Sequence, residues 1–178
     1  MRKQEGAVTH VESLMKGLAS KDGAARQKAR ISLVSLGGPA VAFLTRALQN
    51  SKSDHVRWEA AKALGMIGNP KSIPGLVKAL EDSDPDVAWL AAEALRGFRM
   101  AAWPALFRAL TKSRKDSIVL RQGAHHVLRD QKVDGFNDLL AALTKALESN
   151  TAQDSAPIAA YDLLKRLRAN SQTLESHA

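Results

Sequence analysis

Along this chain, short blocks with apolar residues three or four positions apart alternate with blocks of polar, glycine and proline residues. Val56, Ala60 and Leu64 form one such stripe, and Leu76 with Leu80 begins the next. That spacing puts side chains on one face of an α-helix, and no alternating strand pattern competes with it. The same stripes return at a fixed interval. With "SDHVRWEAAKALGMIG" from Ser53 laid over "DPDVAWLAAEALRGFR" from Asp84, Val56 meets Val87 and Trp58 meets Trp89. Ala60-Ala61 meets Ala91-Ala92 and Leu64 meets Leu95, each 31 residues apart. "DGAARQKARISLVSLG" starts one period earlier at Asp22, and "DSIVLRQGAHHVLRDQ" one period later at Asp116, with one extra residue. The second blocks recur too, "VESLMKGLASKD" lying 62 positions before "IPGLVKALEDSD". Recurrence on this scale predicts a tandem array of helix pairs.

Local chemistry sets the expected ends. First helices start at Asp22, Ser53, Asp84 and Asp116, whose side-chain oxygens can accept a hydrogen bond from a first-turn amide. Pro85 suits the first helical position. Gly37-Gly38-Pro39, Gly65 and Gly68-Asn69-Pro70 stop helices. The paired alanines let neighbouring helices approach closely. The reading is one all-α domain over 1–170, with a cap helix at 7–20 and repeats at 22–52, 53–83, 84–115 and 116–150. A closing helix follows at 154–169 and a disordered tail at 171–178. Ends of such arrays are atypical because their outer faces must be polar.

"VRWEAAKALGMIGNPKSIPGLVKALEDSDPDV" resembles the short HEAT-like repeat of phycobilisome-lyase type, with a V-R-x-x-A-A-x-A-L-G first helix and an I-P-x-L-x-x-A-L second helix. The resemblance is close over 53–87, clear over 22–113 and looser over 116–150, where Gly123 replaces an alanine and "DQKVDGFND" replaces the glycine-proline connection. It implies a right-handed α-α superhelix of about four helix pairs with terminal capping helices, second helices lining the concave side.

Charge adds a candidate surface. The net charge is +8, and from Gly23 to Ser53 the chain carries Arg26, Lys28, Arg30, Arg46 and Lys52 with no acid. A pattern of leucine, any residue, basic, small, leucine occurs five times, placing Lys16, Arg46, Lys78, Arg108 and Lys145 opposite the buried leucines; Lys112 adds to the fourth of these. Successive helices would set these cations in a row on the concave side. The plainer reading is that every exposed helix needs a polar residue there. Lys78 has Glu81 and Asp82 within one turn and Lys145 has Glu148, so pairing would leave only the first and third units with free charge. Trp58 and Trp89 serve either as interface anchors or as packing between repeats.

Catalytic and metal chemistry find no frame. The chain has no cysteine, no phosphate-binding glycine loop and no nucleophile elbow, and His125-His126 are adjacent rather than four apart. Deoxyhypusine hydroxylase, an enzyme with this kind of repeat, binds iron through His-Glu pairs; Trp58-Glu59 stands at that position and no His-Glu dipeptide occurs. No cofactor or metal is expected. The expectation is a non-enzymatic, monomeric, cytoplasmic scaffold or adaptor, away from membranes, whose partner is another protein with an acidic or mixed surface. Nucleic-acid binding through the basic row is the alternative.

Overall fold

The computed structural model describes residues 2–112 and 117–175, with side chains over 9–112 and 117–172. Among them every regular element is helical: α1 (Arg2–Gly17), α2 (Gly23–Leu36), α3 (Gly38–Asn50), α4 (Asp54–Ile67), α5 (Ile73–Ala79), α6 (Pro85–Phe98), α7 (Trp103–Lys112), α8 (Ile118–Leu128), α9 (Asn137–Glu148) and α10 (Ala152–Glu175). Short 3-10 turns at Pro70–Ser72 and Arg99–Ala102 lead into α5 and α7. The sequence reads as one array, and the chain groups into two compact units, Met1–Phe98 and Arg99–Ala178.

Cap chemistry fixes where first helices begin. The Asp22 side chain accepts from the Ala24 amide at 3.0 Å, Ser53 from Val56 at 3.4 Å, and Asp84 from Asp86 and Val87 at 3.0 Å each. These bonds satisfy amides that a first turn leaves without partners. The fourth start differs from expectation. Ser117 caps α8 by accepting from the Leu120 amide at 3.2 Å, while Asp116 lies outside the described residues. The repeat therefore shifts by one position. Leu120, 3% exposed, takes the place of Val56 and Val87, and Val119 is left 46% exposed. Ala124 then occupies the alanine position, so Gly123 does not replace it, and Leu128 falls where Leu64 and Leu95 sit. The first-helix ends keep the original period: Gly37 and Gly68 have φ 65°, and Arg99 has φ 51°. Glycine adopts this left-handed backbone freely; Arg99 does so with a Cβ.

In the first unit α2, α4 and α6 pack in succession as one layer, and α1, α3 and α5 as the other, with α3 against α4 and α5 against α6. Leu18, Leu33, Leu44, Leu64, Leu76, Leu80 and Leu95 are fully buried between the layers, as are the paired alanines. Small residues set the spacing. A Cβ on Gly17 would lie 2.8 Å from Ala29 Cβ, one on Gly65 2.9 Å from Ala94 Cβ, and one on Gly75 2.7 Å from Thr45 Cγ2. Gly65 is thus no helix stop. It lies inside α4, where α6 comes closest, and Gly68 caps the helix.

In the second unit α10 packs against both α7 and α9, and α8 packs against α9. Trp103, Phe107 and Phe136 form its aromatic centre, with Trp103 and Phe136 edge to face at 5.6 Å. Buried Ala156, Ala160, Leu163 and Leu164 hold α10 in place. The helix continues to Glu175, so 171–175, expected as part of a tail, are helical; 176–178 lie outside the described residues. Ser171 Oγ donates to the Leu167 carbonyl at 3.0 Å within this last stretch.

Candidate functional site

The basic positions follow directly from helix geometry. On α3, Leu44 and Leu48 enter the core, and Arg46, two residues from each, points away from it. The same holds for Lys16 on α1 and Lys78 on α5, and all three side chains are exposed. Because α1, α3 and α5 are consecutive neighbours, the first unit presents these three cations from adjacent helices. In the second unit Arg108 and Lys112 are exposed one turn apart on α7, and Lys145 is exposed on α9. Phe107 is buried beside Arg108, and Phe43 is half-buried beside Arg46.

The neutralising pairs expected for Lys78 and Lys145 do not form. Asp82 is taken by Arg57, whose Nε and one terminal nitrogen donate to its two oxygens at 2.8 Å each. The other terminal nitrogen donates to the Ser51 carbonyl at 3.0 Å. Glu148 is held instead by His125, Oε1 to Nε2 at 2.8 Å. Among the described residues, neither lysine makes an ion pair. Lys78 borders a cleft of about 310 Å³ that also has Gln49, Asn50, Arg57 and Asp82 in its wall. The bidentate bond to Asp82, then the charge of Asp82 itself and those of the more distant Asp54 and Asp84, raise the Arg57 pKa above its ordinary value, against the opposing effect of burial. Arg57 is therefore a permanent cation tying the end of α3 and the turn after α5 to α4.

Two of the apparently free cations of the first repeat are spent. Glu59, 4% exposed on α4, bonds Arg30 of α2 and lies 3.7 Å from Arg26 of the same helix. Sequence reasoning missed this network because its members stand about one repeat apart. A signal was present: a glutamate immediately before a buried alanine pair, following a stretch from Gly23 to Ser53 with no acid. The network also fixes Trp58. Lys62 Nζ lies 4.6 Å from the indole centroid and the Arg30 guanidinium 6.0 Å, both within cation-π range. Trp58 is half-buried, whereas Trp89, one period on, is 53% exposed.

Trp103 is a structural residue. It is fully buried, and its Nε1 donates to Gln131 Oε1 at 2.8 Å. Among the described residues no three histidines or carboxylates come together as metal ligands, and no helix is long and apolar enough to cross a membrane. What the exposed positions on the second helices offer chemically is attraction for anionic groups at several adjacent points; Trp89 is an apolar contact on α6, in the other layer.

Residues 11–96 are similar to the HEAT repeats and match that family's model, a stretch running from within α1 into α6. None of the curated proteins matches the chain.

Proposed function

We propose that the protein is a non-enzymatic interaction scaffold or adaptor that binds another protein through the exposed side of its second helices. HEAT repeats generally serve as protein-interaction scaffolds. The observation that carries the reading here is the set of Lys16, Arg46 and Lys78, exposed at equivalent positions of three neighbouring helices with no ion pair among the described residues. Charges left unpaired on a rigid surface act on a partner rather than on the fold, and they favour an acidic or mixed surface. Arg108, Lys112 and Lys145 extend the same chemistry into the second unit, whereas Trp89, exposed on α6 in the other layer, is an aromatic contact belonging to a different face. We place this surface on the concave side that the short phycobilisome-lyase type of repeat implies. The positive net charge favours nucleic acid as the second reading.

Affinity capture from lysate of the host, with nuclease and at two salt concentrations, tests both. A discrete protein should survive nuclease and be lost with Arg46→Glu/Lys78→Glu. A partner retained unchanged by that variant removes the basic row from the mechanism. Recovery of nucleic acid alone, falling steeply with salt as counterion release requires, transfers the site to the second reading.

A further inference from the structure

We propose that the second unit carries a separate binding site, the cleft between the end of α8 and the outer face of α9, which takes an acidic peptide segment. This rests on the reading that the protein binds proteins, but uses neither Arg46 nor Lys78.

The cleft has a volume of about 580 Å³, within the range of sites that enclose a ligand group. Ala141 is its exposed apolar member, with Leu128 and Leu140 buried in the core beneath, and Arg129, Lys132 and Lys145 are its basic members. Charge complementarity selects the ligand. The one carboxylate in the wall, Glu148, is engaged by His125, Oε1 to Nε2 at 2.8 Å. Among the described residues Lys132 and Lys145 have no ion pair, and Arg129 lies 3.5 Å from the neighbouring Asp130 with both side chains about half exposed. An exposed pair of that length contributes little and yields readily to a better-placed anion.

The wall is also held in advance. Gln131, between Arg129 and Lys132, accepts from the buried Trp103 indole at 2.8 Å and donates to the Val127 carbonyl at 2.8 Å. The Val133 amide donates to Asn137 Oδ1 at 2.8 Å, closing the connection onto the first turn of α9. Arg129 and Lys132 therefore project from backbone that need not order on binding, which removes one of the main costs of association. No aromatic ring lines the cleft, so stacked bases find no platform.

The test is an NMR and calorimetric titration of the full chain with a capped nonapeptide of repeating Glu-Leu-Asp. Saturable binding is expected, with amide shifts concentrated at 128–132 and 141–148. Lys132→Glu/Lys145→Glu should weaken it at least about tenfold, and Arg46→Glu/Lys78→Glu should leave it within about twofold. If the reversed variant melts early, Lys132→Gln/Lys145→Gln takes its place. Binding that does not saturate, or that ignores both cleft variants, overturns the site. So does tighter occupation of the same residues by an oligothymidylate of equal charge, which would make the cleft a nucleic-acid site. Failure of the capture experiment with Arg46→Glu/Lys78→Glu bears on the first unit alone and leaves this result standing.

Discussion

Arg57 shows how much one side chain does in this fold. It spans the end of α3, its own helix and the turn after α5, through the Ser51 carbonyl and both oxygens of Asp82. Hydrogen bonds to charged groups contribute about 1.5–3 kcal/mol, and Asp82 would be left without its partner, so Arg57→Ala should lower unfolding stability by about 2–3 kcal/mol in urea titration. Arg57→Lys should recover little, because an ammonium cannot reproduce the paired geometry. Its raised pKa produces no pH dependence at working pH: the stabilisation is complete below the ordinary arginine value and is lost only as pH rises from there through the still higher folded one. Asp138 behaves differently. Its bond to Arg166 of α10, first, and then the Leu139 amide and the arginine charge hold its pKa below the usual aspartate value. A depressed carboxylate contributes stability above its unfolded pKa and loses it as pH falls through the folded one. Asp138→Asn should therefore melt slightly below the parent at neutral pH, and the gap should close on acidification below about pH 4. A constant gap across that range would mean that packing, not charge, was lost.

At the scale of helices, contact between neighbours is set by missing atoms. Gly75→Ala would drive a Cβ to 2.7 Å from Thr45 Cγ2 across the α3–α5 contact. Overpacking of this kind costs about 1–3 kcal/mol, and Thr45→Ser, which deletes the obstructing methyl, should restore part of the loss in the double variant's melting temperature. Additive losses would place the strain elsewhere. Helix pairing was legible in the sequence because the stripes at Val56, Ala60 and Leu64 and their counterparts report burial directly. The exposed side of the leucine pattern was legible for the same reason, so Lys16, Arg46, Lys78, Arg108, Lys112 and Lys145 are exposed as their spacing implies. Who pairs with whom was not. The Arg30–Glu59 bond joins α2 to α4, and the Arg57–Asp82 bond joins α4 to the end of α5; one-helix spacing rules assigned Asp82 to Lys78 instead. The start of α8 was misplaced because Asp116 and Ser117 are both able caps, and only the burial of Leu120 over Val119 decides between them.

For the whole molecule, formal charge and available charge are different quantities. The excess of +8 counts Arg26, Arg30 and Arg57, all engaged by Glu59 or Asp82, equally with the unpaired lysines. Reversing Arg46 and Lys78 should consequently change the salt dependence of partner capture while leaving the melting temperature nearly where it was, since exposed substitutions of this kind shift stability by about 0.5 kcal/mol or less.

The three tryptophans divide unequally between the units, and that gives the unlabelled chain a built-in optical separation. Trp103, enclosed in the second unit with its indole N–H bonded to Gln131, should emit toward the blue and resist iodide. Trp58 and Trp89 belong to the first unit, one half-buried under cations and the other more than half open to solvent. A soluble quencher should therefore darken the first unit selectively. The residual emission then follows the second unit by itself, so the unfolding of each can be timed without introducing a single probe.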